Sequence, residues 1–346
     1  MANKILVTGA AGFIGSEFAV QSIDRGDELV VLDALTYAGN MENLAEIEGK
    51  YKFIHGDICD SNLVYKLLKD NDIDYLVNFA AESHVDNSIE APEIFIKTNV
   101  NGTHSLLEAT RKYYGELSGD KQANFRYLQV STDEVFGDLE LDGDDRFSED
   151  TPYNPSSPYS ASKAAADHLV RAYHRTYSLP CIITNCSNNY GQRQFTEKLI
   201  PHMITCALEG KNLPIYGDGK NVRDWIHVED HAHGVYIALT KGQIGESYCF
   251  GGNAEMANID LVNAICEILD ELQPLGAKSY KEQLSFVKDR AGHDRRYAIN
   301  SSKAEKELGF KRKYDLNEGL KQTVRWYLSK MEKRHEGHYI SRRIGH

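Results

Sequence analysis

The sequence predicts an α/β fold: a doubly wound parallel sheet followed by a smaller α+β C-terminal lobe. In the first half of the 346-residue chain, short apolar runs alternate with segments of helical periodicity. A glycine-rich turn joins the first such run to the first helical segment, and after about residue 188 the segments become shorter and richer in turns. Strand-helix alternation favours parallel strands with crossover helices on both faces of one sheet.

Six apolar runs predict the strands of that sheet. These runs are Lys4–Thr8, Glu28–Asp33, Tyr51–His55, Tyr75–Ala80, Phe125–Ser131 and Cys181–Cys186. The helices predicted between them are Phe13–Arg25, Ser61–Lys69, Pro92–Tyr114 and Tyr159–Tyr177. We therefore predict a nucleotide-binding domain over residues 1–187, with some later segments interleaved into it.

The remainder of the chain predicts a second lobe over residues 188–331. Turn clusters such as Tyr216–Gly219 separate its elements, and helices are predicted at Ile259–Leu272 and Asn317–Lys330. Residues 332–346 are polar, with several His and Arg and no periodicity. We predict that this last stretch is a mobile tail, with a partner-binding arm as the alternative.

Composition excludes several classes of protein. The net charge of -12 argues against a general nucleic-acid binder. The mean hydropathy is -0.48, no apolar run approaches the ~20 residues that cross a bilayer, and no signal-peptide pattern opens the sequence, so we expect a cytoplasmic protein without membrane association. None of the six cysteines forms a C-x-x-C pair, which favours reduced core residues over a disulfide framework or a zinc site. No metal is predicted.

Three glycines follow the first predicted strand at three-residue spacing. Gly9, Gly12 and Gly15 lie where the strand turns into the first helix. Glycine permits a tight turn and lets backbone N–H groups approach a pyrophosphate, which the helix N-terminus stabilises. The spacing differs from G-x-G-x-x-G, but its place in the first β-α turn predicts a Rossmann-type dinucleotide site.

Two acidic residues at strand ends extend this site. Asp33 ends the second strand, where an acid hydrogen-bonds the adenosine ribose and repels a 2′-phosphate, so NAD is favoured over NADP. Asp57, with Ile58, follows the third strand and is a candidate for contact with adenine. The alternative for Asp57 is that it caps the next helix.

Tyr159 and Lys163 are four residues apart at the start of a predicted helix, so both lie on one face. A nearby ammonium favours phenolate over phenol. We therefore expect Lys163 to lower the pKa of Tyr159, which could then take a hydroxyl proton near neutral pH.

These motifs resemble the extended short-chain dehydrogenase/reductase superfamily. The resemblance rests on T-G-A-A-G-F-I-G, Asp33, Thr132 and the Tyr159–Lys163 pair; within the superfamily, S-T-D-E-V-F-G at Ser131–Gly137 is similar to the signature of nucleotide-sugar 4,6-dehydratases. Further stretches resemble the members of that family that act on dTDP-glucose: Ala80–Asp86, Ser187–Gly191, Lys198–Pro201, Gly219–His227 and Asp289–Ile299. The sequence departs from the usual pattern at Phe136, commonly Tyr, and at Gln192-Arg193, commonly Pro-Tyr.

The resemblance implies that a hexose is dehydrated after transient oxidation. Tyr159 would take the proton of the sugar O4, with Thr132 bonded to the same oxygen, while hydride passes from C4 to NAD and later returns to C6. Glu134 would remove the C5 proton and Asp133 would protonate the C6 hydroxyl, so that water leaves. We expect burial and like charge to keep Asp133 protonated while Glu134 stays ionised. Adjacent acids at a solvated strand end are the simpler alternative.

The resemblance also implies the residues that bind each ligand. The catalytic set is Thr132, Asp133, Glu134, Tyr159 and Lys163. The NAD set is Gly9, Gly12, Phe13, Ile14, Gly15, Asp33, Ala34, Leu35, Thr36, Asp57, Ile58, Phe79, Ala80, Ala81, Ser83, Thr98, Tyr159, Lys163 and Asn189. The nucleotide-sugar set is Ser83, His84, Thr132, Asn188, Lys198, Leu199, Pro214, Tyr216, Arg223, Asn258, Asp289, Arg290 and His293. For His84 and His227 we favour supporting roles over catalytic ones.

Other functions remain open at this point. A nucleotide-sugar 4-epimerase, or a dehydratase that uses another nucleotide, would share most of these motifs. A redox sensor or scaffold that had lost chemistry would be expected to lack Tyr159, Lys163 or the acidic pair, and all four residues are present. A homodimer is expected because the helices Pro92–Tyr114 and Tyr159–Tyr177 resemble those that form a four-helix bundle between two family subunits.

Overall fold

A parallel sheet of seven strands lies at the centre of the molecule. The computed structural model describes residues 2–290 and 292–344, with side chains described as far as residue 332. The strands are β1 (Lys4–Thr8), β2 (Glu28–Asp33), β3 (Tyr51–His55), β4 (Tyr75–Asn78), β5 (Arg126–Thr132), β6 (Cys181–Cys186), β7 (Asn188–Tyr190), β8 (Leu213–Tyr216), β9 (Val222–His227), β10 (Ser247–Phe250), β11 (Glu255–Ala257) and β12 (Leu284–Val287).

Helices cover both faces of this sheet and build the second lobe. They are α1 (Phe13–Asp24), α2 (Ser61–Asp70), α3 (Val85–Glu90), α4 (Pro92–Phe95), α5 (Thr103–Tyr114), α6 (Gly119–Asn124), α7 (Pro158–Tyr177), α8 (Leu199–Leu208), α9 (Val228–Lys241), α10 (Asn258–Leu272) and α11 (Leu316–Ile344). Short 3₁₀ segments occupy Met41–Ile47, Asp133–Phe136 and Tyr280–Gln283, and π-helical turns occupy Ile96–Gly102 and Ala304–Leu308.

Alternating side chains of each strand build two apolar layers. Ile5 and Val7 of β1 face one layer together with Phe18 of α1 and Val235 of α9. Leu6, between them in the chain, faces the other layer, where α2, α5 and α7 pack. Because neighbouring residues of a strand point to opposite faces, an uninterrupted apolar run is what a strand with helices on both sides requires.

The order of the strands places a cleft at the carboxyl edge of the sheet. The order is β10-β6-β5-β4-β1-β2-β3, and every neighbouring pair is parallel. The connections reverse direction between β1 and β4, and ligands of such sheets bind beyond the strand ends at that point. The predicted doubly wound sheet is therefore confirmed. Strand β10 comes from the C-terminal half and pairs with β6, so later segments do interleave with the first half.

The second lobe is smaller and is packed from separate elements. A three-stranded sheet, β11-β9-β7, and a two-stranded sheet, β12-β8, contribute to it. The helices α8, α10 and α11 enclose its own apolar core around Leu261, Ile265 and Leu320. Within the described residues, no helix is both long and apolar enough to span a membrane.

Several predicted bounds differ from the structure. The single helix predicted over Pro92–Tyr114 contains a π-helical turn at Ile96–Gly102, where backbone hydrogen bonds join residues five apart instead of four. The last helix continues from Leu316 to Ile344, beyond the predicted Asn317–Lys330 and into the segment expected to be a tail. The Lys, Arg and Glu residues of that segment have high helix propensity. The mobility of that segment stays a prediction.

Candidate active site

The glycine turn brings three parts of the backbone into close approach. At Gly9, φ is +72°, and a Cβ there would lie 2.6 Å from the backbone nitrogen of Ala80. At Gly15, a Cβ would lie 2.3 Å from the carbonyl oxygen of Gly9. Real Cβ atoms do not approach backbone this closely, so β1, α1 and the end of β4 pack at these distances only with glycine. The turn therefore leaves the N-terminus of α1 open toward the cleft.

Asp33 lies at the end of β2 and is fixed by backbone donors. Its Oδ2 accepts a hydrogen bond from the N–H of Ala11 at 2.9 Å, and its Oδ1 accepts one from the N–H of Leu35 at 2.8 Å. Leu35 has φ +49°, so the chain turns sharply away after the strand. The carboxylate is held at the mouth of the cleft, where a ribose hydroxyl could donate to its remaining lone pairs.

Asp57 is not the cap of the following helix. Its Oδ1 accepts from the N–H of Cys59 at 2.9 Å, whereas Asp60 accepts from the first N–H groups of α2. The alternative reading of Asp57 as a helix cap is therefore wrong. Asp57 and Ile58 both line the cleft beside Lys97.

The first cavity, of about 410 Å³, contains nearly the whole predicted NAD set. All of those residues line it except Leu35. Its wall also includes residues that the motifs did not single out, among them Val130, Cys186, Gln194, Phe195 and Glu197. These residues come from the strand ends β5 and β6 and from the loop after β7, whose approach to the cleft depends on tertiary packing.

The second cavity, of about 440 Å³, adjoins the first. Every predicted nucleotide-sugar residue lines it except Thr132, which lines the first cavity, and Asp289, which lines neither. Five residues line both cavities: Ser83, Glu134, Asn188, Glu197 and Lys198. The two spaces therefore meet at Glu134, beside the ends of β5 and β7.

Thr132, Asp133 and Glu134 lie at this junction because β5 ends there. The Thr132 hydroxyl caps the short 3₁₀ turn by accepting from the N–H of Glu134. Asp133 is 2% exposed, and its Oδ2 has no hydrogen-bond partner among the described residues. Burial, followed by the charge of Glu134, raises the pKa of Asp133 well above its usual range. The raised pKa favours the protonated form of Asp133, and its burial excludes the alternative of a solvated strand end.

Glu134 has a different electrostatic environment. It is half-buried, and burial raises the pKa of its carboxyl. The charges of Lys198, Arg223 and Arg290 lower that pKa, although Asp294 opposes them. Burial outweighs the neighbouring charges at both carboxyls, but the three cations near Glu134 leave its pKa less raised than that of Asp133, so Glu134 ionises more readily than Asp133. This is the asymmetry that an acid and a base in one site require.

The expected effect of Lys163 on Tyr159 is wrong in this structure. The Lys163 ammonium is 5% exposed and donates to the carbonyl oxygen of Val130 at 2.7 Å. Burial and the charge of Glu134 raise the pKa of Tyr159 well above its usual range. The shared helix face was predicted from the four-residue spacing, but spacing does not determine where a long side chain directs its charge. Both side chains do line the first cavity.

Basic and aromatic side chains line the far wall of the second cavity. Arg223 is 7% exposed, donates to the carbonyl oxygen of Asp294 at 2.9 Å and stacks over the Tyr297 ring. Arg290 stacks over Tyr216 and pairs with Asp86 at 3.1 Å. Guanidinium groups held in this way suit phosphate oxygens, to which they bond bidentately.

The histidines mostly support the backbone. His84 and His227 both accept from helix N–H groups, at the starts of α3 and α9 respectively. Burial lowers the pKa of His227 to about 4, and its ring packs on Tyr314. His84 also lines the second cavity. His293 lines the second cavity and contacts Asp289 at 2.6 Å, so Asp289 lies behind the cavity wall, and its predicted part in the site stays a prediction.

The cysteines and the potential metal ligands are the remaining reactive side chains. All six cysteines are free, and five of them are buried. Among the described residues no group of His, Cys, Asp and Glu is arranged to hold a metal ion.

Comparison with known proteins identifies the family to which the chain is similar over most of its length. A family model described as GDP-mannose 4,6 dehydratase matches residues 6–323. The chain is 54% identical over 327 residues to a dTDP-glucose 4,6-dehydratase of Xanthomonas campestris pv. campestris, covering 94% of this chain and 93% of the relative. It is 52% identical over 336 residues to the enzyme of that name from Salmonella typhimurium, again covering 94% and 93%.

Solved structures agree with these relatives. The dTDP-glucose 4,6-dehydratase DesIV of Streptomyces venezuelae, solved with NAD and TYD bound, matches with a TM-score of 0.85 at 43% identity, covering 94% of this chain and 97% of that one. A UDP-glucose 4-epimerase of Thermotoga maritima matches with a TM-score of 0.84 at 27% identity, covering 95% and 99%. The resemblance inferred from the motifs is confirmed: this chain belongs to the nucleotide-sugar 4,6-dehydratase family, together with the dTDP-glucose 4,6-dehydratases.

Proposed function

We propose that this chain removes water from dTDP-glucose to give dTDP-4-keto-6-deoxyglucose, with NAD as a tightly held cofactor. The observation that carries the proposal is the position of Asp133 and Glu134 where the two cavities meet. One carboxyl is buried with a strongly raised pKa, and the other is half-buried with three cations that lower its pKa against burial. An epimerase needs no such pair, because it neither removes a C5 proton nor expels a C6 hydroxyl.

The proposed roles of the side chains follow from this geometry. Tyr159, in the first cavity, is placed to exchange a proton with the sugar O4, and the Thr132 hydroxyl is placed to bond the same oxygen. The C4 ketone acidifies the C5–H bond, so that Glu134 can remove that proton. Asp133 gives its proton to the C6 oxygen, and water leaves across the C5–C6 bond. These steps need the buried acid and the ionised base at the same time.

The described residues fit NAD. Gly9, Gly12 and Gly15 line the first cavity at the N-terminus of α1, and Asp33 presents a carboxylate at the end of β2. When bound, NAD would supply a reversible hydride acceptor for the sugar C4, and the hydride would return to C6 as C5 regains a proton from Glu134, so the cofactor would end each turnover as it began. Lys163 is then available to bond ribose hydroxyls once its contact with Val130 is exchanged.

The two cavities suggest how the chain divides its work. We assign NAD binding mainly to residues 1–187, with β10 and α9 interleaved, and nucleotide-sugar binding mainly to residues 188–331. In the second cavity, Arg223 and Arg290 would hold the pyrophosphate. The cytoplasmic location expected from the sequence stays a prediction.

Incubation of the purified protein with dTDP-, UDP-, CDP- and GDP-glucose, with products read by mass, tests the proposal. We expect a product lighter by one water, formed fastest from dTDP-glucose. A product of unchanged mass would indicate a 4-epimerase. This is the second candidate function, and it is favoured by the similarity to a UDP-glucose 4-epimerase structure at 27% identity. Faster dehydration of another nucleotide sugar would remove the dTDP assignment.

We also propose that the chain forms a homodimer through α5 and α7. Ile89, Ile94 and Ile96 are 46%, 42% and 47% exposed near the start of this region. The outer face of α7 carries the small exposed residues Ala161 and Ala172, which permit close helix packing. Multi-angle light scattering during size-exclusion chromatography should give about twice the chain mass of 39.0 kDa. A mass of one chain at micromolar concentration would contradict the dimer.

A further inference from the structure

The segment Asn188–Lys198 forms a wall shared by both cavities. Gln194, Phe195 and Glu197 line the cofactor cleft, and Lys198 lines both cavities. The segment leaves the sheet region at β7 and enters α8. Whatever fixes this wall against the rest of the cleft therefore controls the exit of a bound dinucleotide.

Arg193 lies in the middle of this wall in a strained backbone conformation. Its φ is +70°, a left-handed value that a residue with a side chain rarely adopts. The residue is only 8% exposed. Such a conformation persists where surrounding contacts hold it in place. Gln192 and Arg193 are also the positions where the sequence departs from the usual family pattern.

The contacts that hold Arg193 reach the two elements around the glycine turn. Its Nη2 pairs with Oε2 of Glu17, which is 4% exposed on α1. Its Nη1 pairs with Oε1 of Glu46 at 3.0 Å, on the 3₁₀ segment Met41–Ile47. That segment is joined to the turn, because the Asn43 amide donates to the carbonyl oxygen of Ala11 at 2.9 Å.

The buried carboxylate and guanidinium depend on each other. Gln192 and Gln21 also donate to the Glu17 carboxylate, at 3.2 and 2.8 Å, so both oxygens are bonded. A buried charge that loses its partner is strongly unfavourable, whereas the intact pair fixes a single geometry. The pair therefore links the 188–198 wall to the helix that begins at the glycine turn.

We propose that Arg193 is a positioning residue for cofactor retention, which holds the 188–198 wall against α1 through Glu17 so that NAD leaves slowly. The inference rests on the proposed cofactor but not on the proposed dehydration. It suits a reaction in which the cofactor is regenerated in each turnover and has no need to leave.

The test measures cofactor release without any nucleotide sugar. Protein loaded with NADH is mixed with excess NAD⁺, and the loss of bound NADH fluorescence gives the release rate. Arg193→Met removes the charge and keeps the aliphatic stem, and we expect release about tenfold faster. Glu17→Gln keeps the shape and one hydrogen-bond acceptor, and we expect an increase of about threefold. With saturating added NAD⁺, the KM for the nucleotide sugar should stay within about threefold of the wild-type value.

Arg296→Met is the matched control. Arg296 is 5% exposed and pairs with Glu255 at 2.7 Å, but it lines neither cavity. Loss of this pair should lower the Tm while the release rate stays within about twofold of wild type.

The outcomes separate clearly. Folded Arg193→Met and Glu17→Gln variants that release NADH at the wild-type rate would overturn the inference. So would an Arg296→Met variant that accelerates release as much, because the effect would then reflect general instability. If Arg193→Met does not fold, Glu17→Gln decides alone. A wild-type protein that binds no NADH overturns the cofactor proposal as well, and this failure is visible before any variant is made.

Discussion

At the scale of the residue, the chemistry depends on two adjacent carboxyls with unlike surroundings. Asp133 lies inside the protein with one oxygen unpartnered among the described residues, and Glu134 faces the junction of the cavities. The cations near Glu134 are Lys198, which immediately precedes α8, and two arginines of the second lobe, so they belong to other elements than the 3₁₀ turn that carries Glu134. Division of labour between the two acids is therefore set by tertiary structure.

Glu134→Gln should separate oxidation of the sugar from loss of water. The variant keeps Tyr159 and the cofactor cleft, so mixing with dTDP-glucose should still give the absorbance of NADH. Product formation should fall by about 10²–10⁴-fold, because no base removes the C5 proton. Glu140→Gln, on an exposed loop, is the control and should retain full activity. Undiminished product formation by Glu134→Gln would remove Glu134 from the role of base.

Asp133→Asn should lower activity at every pH, and its effect on the Tm should depend on pH. The pKa of Asp133 is raised in the folded state, so the folded protein keeps a proton that the unfolded chain releases. Its contribution to stability is present below the unfolded value of about 3.9 and is lost as pH rises toward the folded value. Asparagine does not titrate, so the Tm of the variant relative to wild type should rise between about pH 5 and about pH 8.

Thermal unfolding followed by circular dichroism across that pH range measures the effect, and product formation should fall by about 10²–10⁴-fold at each pH. Wild-type and Asp133→Asn curves of Tm against pH that run parallel would show that Asp133 is ionised in both states. That result would contradict its role as the proton donor.

At the scale of the element, what the sequence predicts depends on how completely each segment is buried. The strands β1, β2, β3 and β6 are predicted to the residue, because apolar runs bounded by turns read as strands. Of these, β1, β2 and β6 are largely buried, whereas the edge strand β3 is only partly buried. The helix α9 is not predicted, since His and acidic residues interrupt its apolar pattern. The four-residue strand β10 is too short to stand out, and it is fixed only by pairing with β6.

The candidate site, like the elements, could be predicted from the sequence only in part. Motifs identify Gly9, Asp33 and the acidic pair, because their chemistry follows from residue type and place along a strand or turn. The contacts of Lys163 with Val130 and of Arg193 with Glu17 are set by side-chain direction between distant segments. No local pattern carries that information.

Gly15→Ala should break the strand-turn-helix unit that receives the cofactor. The added Cβ would lie 2.3 Å from the carbonyl oxygen of Gly9, and backbone cannot move aside without opening the turn. We expect NADH affinity, measured by fluorescence titration, to fall at least about tenfold. Gly115→Ala is the control: Gly115 ends α5 at φ -66°, and its added Cβ would meet nothing closer than 3.4 Å. Equal affinity in both variants would contradict the packing argument.

At the scale of the whole molecule, the two halves of the chain share one apolar layer and are not independent folding units. The apolar layer that covers one face of the sheet combines Phe18 of α1 with Val235 and Ala238 of α9 and with Phe250 of β10. Val235, Ala238 and Phe250 all lie in the part of the chain that follows residue 187. The first half of the chain therefore needs α9 and β10 from the second half to complete the apolar layer that supports its cofactor site.

A fragment of residues 1–187 should consequently fail to fold, although it contains every glycine and acid of the cofactor motif. Without β10 the edge strand β6 has no neighbour on its outer side, and without α9 the layer around Phe18 is open to water. A fragment of residues 1–332 keeps all described side-chain contacts, so it should bind NADH and melt within about 2 °C of the full chain. Circular dichroism and NADH titration of both fragments decide the matter. A cooperative melt with NADH binding by the 1–187 fragment would show that the first half is autonomous. A large loss of Tm in the 1–332 fragment would show instead that residues 333–346 are more than a mobile tail.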